Sequence, residues 1–264
     1  MKKALFIMAM LAFVATGFAQ KKLVLYFSET QTTQKVALAL QEQLSLPDKA
    51  VVAIELVEPY TGNMMETMQR AQREKQPALK PLKAKIADYD IIFLGYPIWS
   101  GTYALPIASL LKQEDFAGKT IVPFCTFGSG GLESSMADLK KALPKATIKP
   151  GYGVRQARVA SATKELDRFL KENGYVAGKV KALPAYSAQQ PVTDAEKAIF
   201  DAACSSYQFP LGTPQTFGKR TTDDSIDYEF KVKSQGFGGG GESTIYVTMG
   251  KEAGAKPEFT RVVR

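Results

Sequence analysis

The sequence predicts a doubly wound α/β fold, a five-stranded parallel sheet covered by helices, followed by a small α+β unit with antiparallel strands. Three observations carry this reading. Short apolar runs alternate with helix-period segments through about residue 175. The run at 91–94 is continuously apolar, as a strand buried on both faces is. Beyond a short helix from Thr193 through about Ala203 the apolar period changes to two.

The chain opens with Lys2 and Lys3, an apolar run from Ala4 to Val14, and small residues Gly17 and Ala19 before Gln20. This pattern predicts a signal peptide over 1–19, cleaved after Ala19, and hence an exported protein, periplasmic or secreted. The run is too short for a stable membrane span, and no Cys follows it to carry a lipid anchor.

Loss of Lys2 and Lys3 lowers the formal charge from +8 to +6. The basic residues are spread rather than clustered, so nucleic-acid binding is not expected. Histidine is absent, which excludes His-based acid–base catalysis, Ser-His-Asp triads and His metal sites. No catalytic residue and no metal ligand is nominated. Cys125 sits within an apolar strand pattern, so Cys125 and Cys204 are expected to be two unpaired thiols.

Leu23 to Phe27 is the first expected strand. The hydroxyl-rich stretch Ser28-Glu29-Thr30-Gln31-Thr32-Thr33 follows, and then Val36, Ala37, Leu40 and Leu44 at helical spacing, closed by Pro47. A single hydroxyl would suffice to cap the helix. Four in six positions suit a phosphate held on unpaired first-turn amides at the positive end of the helix dipole.

Val51 to Leu56 is the second expected strand. The stretch 59–81 carries Met64, Met65 and Met68, read as adaptable core filler on a helix ended by Pro77 and Pro81. Ile91 to Leu94 is the third strand, expected to give way to a loop over Gly95-Tyr96-Pro97-Ile98-Trp99-Ser100-Gly101 that presents the only tryptophan. A helix with Ile107, Leu110 and Leu111 comes next.

Thr120 to Cys125 is the fourth strand, running into the flexible loop Thr126-Phe127-Gly128-Ser129-Gly130-Gly131. Its glycines would let the backbone approach a flat ligand, although they equally suit a plain strand-to-helix turn. After a helix bearing Leu139 and Leu143, Ala146 to Tyr152 is the fifth strand. Leu166, Phe169 and Leu170 mark a helix stopped by Asn173-Gly174. The first domain is thus 20–177, with 178–192 a linker and 193–264 a small α+β domain. In that domain Thr193 and Glu196 form a capping-box pattern, and Tyr228, Phe230 and Val232 alternate with charged residues. Ile245, Val247 and Met249 repeat that period after a glycine-rich connection at 236–241.

The three loops, with the strings Tyr26-Phe27-Ser28, Leu94-Gly95-Tyr96-Pro97-Ile98-Trp99 and Gly118-Lys119-Thr120…Pro123-Phe124-Cys125-Thr126, resemble the flavodoxin family over about residues 21–175. The resemblance implies a flavodoxin-like sheet of order 2-1-3-4-5 with FMN at the switch point. It assigns cofactor contacts to Ser28, Thr30, Gln31, Thr32 and Thr33 around the phosphate, with Ser28, Thr30 and Thr33 holding it. It assigns Pro97, Ile98, Trp99, Ser100 and Gly101 around the ring. Trp99 would stack on the isoalloxazine, and Ser100 and Gly101 would give backbone contacts near N5. Thr126, Phe127, Gly128 and Gly131 would lie at the pyrimidine edge. Gln31 departs from the pattern, standing where the family's loop usually has Gly; a positive φ there would cost about 1 kcal/mol or more.

The resemblance implies an FMN-binding electron carrier between redox partner proteins, acidic ones given the basic charge. The alternatives are an FMN-dependent NAD(P)H:quinone-type reductase, for which no segment announces a nicotinamide site, and a non-redox binding protein with a degenerate flavodoxin domain. In the last case the C-terminal unit, which faintly resembles cystatin-like folds, would do the work.

Overall fold

The computed structural model describes residues 20–60, 64–74, 76–234 and 241–264. The expected signal peptide at 1–19 and most of the glycine-rich connection at 236–241 lie outside them.

In chain order the elements are β1 (Lys22–Tyr26), α1 (Thr32–Gln43), β2 (Val51–Ala53), α2 (Met64–Arg73), β3 (Ile91–Trp99), β4 (Thr102–Tyr103), α3 (Leu105–Gln113), β5 (Thr120–Phe127) and α4 (Leu132–Ala142). Then come β6 (Thr147–Ile148), β7 (Tyr152–Arg155), α5 (Ala162–Glu172), β8 (Gln190–Pro191), α6 (Asp194–Cys204), β9 (Thr213–Thr221), β10 (Ser225–Ser234), β11 (Gly241–Gly250) and β12 (Glu258–Val263).

The first sheet has the order β2-β1-β3-β5-β6, with β7 also on β5, and every one of these pairings is parallel. Counting β6 and β7 as one interrupted strand and setting the two-residue β4 aside, this is the order 2-1-3-4-5. Alternate residues of β1 feed opposite faces. Val24 and Tyr26 pack with Val36 and Leu40 of α1 and Leu166 and Leu170 of α5. Leu23 and Leu25 join the core that holds Ile107 of α3 and Leu139 of α4. Both faces are therefore buried, which is why these strands read as unbroken apolar runs.

Four strands differ from the sequence expectation, of which the second ends at Ala53 rather than Leu56. The third strand does not end at Leu94 but continues to Trp99 and turns back into β4. Gly95 is tolerated because the Phe124 ring fills its side-chain space: a Cβ there would lie 2.1 Å from Phe124 Cζ. Pro97 is tolerated because pairing with β1 stops at Gly95 while pairing with β5 continues. The fourth strand likewise runs on through Phe127. The fifth is split into β6 and β7, as Pro150 cannot donate to a ladder.

The second sheet is antiparallel, in the order β12-β11-β10-β9-β8. Tyr228, Phe230 and Val232 of β10 and Ile245 and Val247 of β11 are buried against Phe200 and Ala203 of α6, as the period of two demands. The stretch 178–192, read as a linker, is extended, and its end is held by the second sheet: Ser187 N–H donates to Lys219 O at 2.9 Å and β8 pairs with β9. Cys125 and Cys204 are both free. Among the described residues no helix is long and apolar enough to cross a membrane.

Candidate cofactor site

Three loops meet at the carboxyl ends of β1, β3 and β5, the position where open α/β sheets bind ligands. The first leads into α1. Gln31 takes the N-cap position at φ 60° and ψ 0°, a left-handed conformation, and its carbonyl accepts from Lys35 N–H at 3.0 Å. Ser28 Oγ accepts from Gln34 N–H at 3.2 Å and so supplies the one cap that the helix needs. The amides of Thr32 and Thr33 have no acceptor within the described chain. With no acidic residue in the first turn, they form an anion-receptive end. The hydroxyls of Thr30 and Thr32 are 2.8 Å apart and exposed beside them.

Thr33 behaves differently from its assignment. Its hydroxyl is buried and lies 2.8 Å from the hydroxyl of Thr126, so it is spent inside the protein and only its amide faces the site. Thr126 and Phe127 are buried residues of β5 that hold the third loop rather than line it.

The second loop is a two-residue hairpin. Trp99 pairs with Thr102, and the central residues Ser100 and Gly101 have φ of 50° and 86°. Two successive positive φ values define a type I′ turn, which matches the twist of the flanking strands. Trp99 is only 7% exposed. Its ring makes T-shaped contacts with Phe27 at 5.8 Å and Tyr60 at 5.5 Å, a favourable geometry for aromatic quadrupoles. The ring assigned to flavin stacking is thus already part of the core.

The third loop closes on the second. Gly131 sits at φ 117°, and a Cβ there would lie 2.6 Å from Ile98 Cγ2. The Ser134 hydroxyl donates to Gly101 O, which fixes the hairpin tip against α4. Gly128 has open space where a side chain would be, and its carbonyl accepts from Arg155 Nε at 2.7 Å.

Beside the first loop is a cavity of about 320 Å³, lined by Ser28, Glu29 and Gln34 together with Leu56, Tyr60 and Lys80. Trp99 does not line it but backs the Phe27 and Tyr60 rings that do. The Tyr60 hydroxyl is buried with no hydrogen-bond partner among the described residues, and Arg70 lies over its ring at 4.8 Å. Burial raises both the Tyr60 phenol and the Glu29 carboxyl above their ordinary values, Arg70 partly opposing it in each case. Burial also raises the Cys125 thiol far above the ordinary range, so it offers no thiolate nucleophile.

The donor set fits a phosphorylated aromatic ligand: acceptor-free helix amides, an orphaned buried phenol, aromatic walls and glycines open to close approach. Tyr60, Phe27, Ser134 and Arg155 were missed in the sequence. Only the adjacency of Phe27 to Ser28 hinted at any of them.

Residues 21–172 match the family described as Flavodoxin. No curated protein matches the chain. Among solved structures, a protein of Bacteroides uniformis assigned as a flavoprotein is 26% identical, with a TM-score of 0.49, over 56% of this chain and 97% of its own. A second such assignment, from Bacteroides eggerthii, is 28% identical at a TM-score of 0.45, over 55% and 97%. A Lactobacillus acidophilus flavoprotein in complex with FMN is 21% identical at 0.45, over 55% and 99%.

Proposed function

The chain belongs to the flavodoxin family, and from that premise we propose that it binds FMN and carries electrons between redox partners outside the cytoplasm. The observation that carries this reading is the pair of acceptor-free amides at Thr32 and Thr33, in a loop that Thr33 ties to Thr126 at the end of β5. Those amides, with the Thr30 and Thr32 hydroxyls, would hold the phosphate. The rings of Phe27 and Tyr60, backed by Trp99, would form the aromatic wall, and the open backbone at Gly128 the pyrimidine edge. When bound, the flavin supplies the redox chemistry, and the protein's part is to orient it and exclude water.

The test is a visible spectrum of the purified protein before and after FMN, followed by desalting. Retained flavin bands with quenched fluorescence support the reading. Riboflavin should bind more weakly, since the helix amides act on the phosphate alone. Export rests on the pattern of residues 1–19; amino-terminal sequencing of protein from the cell envelope or medium should begin at Gln20. The basic charge favours acidic partners, with electron-transfer rates that fall as salt rises.

A second reading, a non-redox binding protein, is favoured by the buried Trp99 and by the left-handed Gln31. A colourless protein that ignores added FMN would select it.

A further inference from the structure

We propose that the C-terminal sheet completes the cofactor site by bracing the loop at 128–131, with Arg155 as the positioning residue. The proposal rests on the FMN reading above.

β12 is the edge strand of the second sheet, and such an edge is ordinarily a liability unless covered. Here it is covered by the third loop of the site. Val262 N–H donates to Ser129 O at 2.7 Å. Gly130 packs so closely that a Cβ on it would lie 2.3 Å from Val262 O. Gly130 is not among the residues of positive φ, so its need for glycine comes from this contact and not from its backbone.

Arg155 at the end of β7 joins the two units from beneath. It is 7% exposed, donating through Nε to Gly128 O at 2.7 Å and through Nη1 to Phe259 O at 3.0 Å. Its guanidinium lies 4.1 Å from the Phe259 ring centroid. It has no carboxylate within ion-pair distance among the described residues. A planar fork that bonds two carbonyls while stacking on a ring is a geometry lysine cannot reproduce. Arg158, bonded to both Glu165 and Glu258, and Arg261, paired with Glu133, clamp the two sides.

A loop with glycines at 128, 130 and 131 loses much conformational freedom when it closes on a ligand. Holding it in place beforehand removes that loss from binding. By linkage, a ligand that needs the ordered loop must in turn tighten the docking of β12.

The experiment uses the full chain and its Gly130→Ala variant. Without flavin, amide exchange at 126–133 should quicken in the variant. Quenching of FMN fluorescence should give an affinity about tenfold weaker, an ordinary size for coupling between sites. In the wild type, FMN should slow exchange at 258–263. Should the alanine variant not fold, that wild-type exchange decides, together with Arg155→Lys, which should weaken FMN binding while keeping the charge. Unchanged loop exchange and unchanged FMN affinity in Gly130→Ala overturn the brace alone. A wild-type chain that binds no FMN removes the reading beneath it, and the proposal with it.

Discussion

The hydroxyl of Thr33 lies 2.8 Å from that of Thr126, both side chains buried, across 93 residues of sequence. Each hydroxyl is partnered by the other, and together they tie the first turn of α1 to the end of β5. Replacing either by the isosteric Val leaves the other hydroxyl in an apolar setting. Each single variant should lose about 1–3 kcal/mol of stability. The double variant Thr33→Val with Thr126→Val should lose less than the two combined, because no orphan remains. Urea unfolding of the four proteins closes the cycle; strictly additive losses would mean that the pair is not a bond in solution.

Gln31 bears a left-handed backbone that β-carbon crowding disfavours by roughly 1–2 kcal/mol. Glycine relieves the strain but adds freedom to the unfolded chain, offsetting about 0.4–1 kcal/mol of the gain. Gln31→Gly should therefore stabilise modestly, by about 0.5–1 kcal/mol. FMN should bind at least as tightly, since the Gln31 side chain makes no capping hydrogen bond to the helix. Gln31→Val should do the reverse, as a β-branched residue fits φ of 60° worse. Denaturation midpoints of the two variants on either side of the wild type would bear this out.

Much of this was legible in the sequence because the signals were local. Buried parallel strands write themselves as apolar runs, and Ser28 to Thr33 declares a loop entering a helix. The strand extension through Pro97 to Trp99 was not legible, since whether Pro is tolerated depends on where the neighbour β1 stops pairing. Nor was the fate of the Thr33 hydroxyl, which is decided by a residue on another strand. Nor was the burial of Trp99, which is set by Phe27 and Tyr60 being brought onto its ring. Arg155 carried no signal, because one arginine among spread charges reads as surface.

Gly101 and Gly131 separate two reasons for needing glycine. Gly101 has φ 86°, but a Cβ there would meet nothing within 4 Å, so Gly101→Ala meets backbone strain alone, about 1 kcal/mol. Gly131 has φ 117° and in addition Ile98 Cγ2 at 2.6 Å, so Gly131→Ala adds overpacking of about 1–3 kcal/mol. The loss in thermal stability should be clearly larger for Gly131→Ala. Adding Ile98→Ala, which removes both γ carbons, should recover part of the loss, so that the double variant loses less than the two single variants combined. Recovery in the Gly101→Ala background would contradict the distinction.

The absence of histidine shapes the response to pH. Apart from the α-amino group, no side chain has an ordinary pKa between about 5 and 8, so stability should be nearly level across that range. At lower pH two effects of opposite sign meet. The bond from Lys164 holds the Asp224 carboxyl below its ordinary value, as Lys181 does Asp223. For these groups the folded state binds fewer protons than the unfolded one. Their contribution is present in full above about pH 4 and is lost as pH falls through the folded values. Glu29 runs the other way, because burial raises its carboxyl. Its folded state holds the proton more tightly, so stability is lost as pH rises from about 4.3 through the raised value. The wild type should hold a level midpoint from about pH 8 to 6 and weaken steeply below about pH 4. Asp224→Asn should be less stable than the wild type at neutral pH and converge with it in acid, whereas Glu29→Gln should gain on it near neutrality. Parallel curves for Asp224→Asn and wild type down to about pH 2 would show that the Lys164 contact does not set the acid limb.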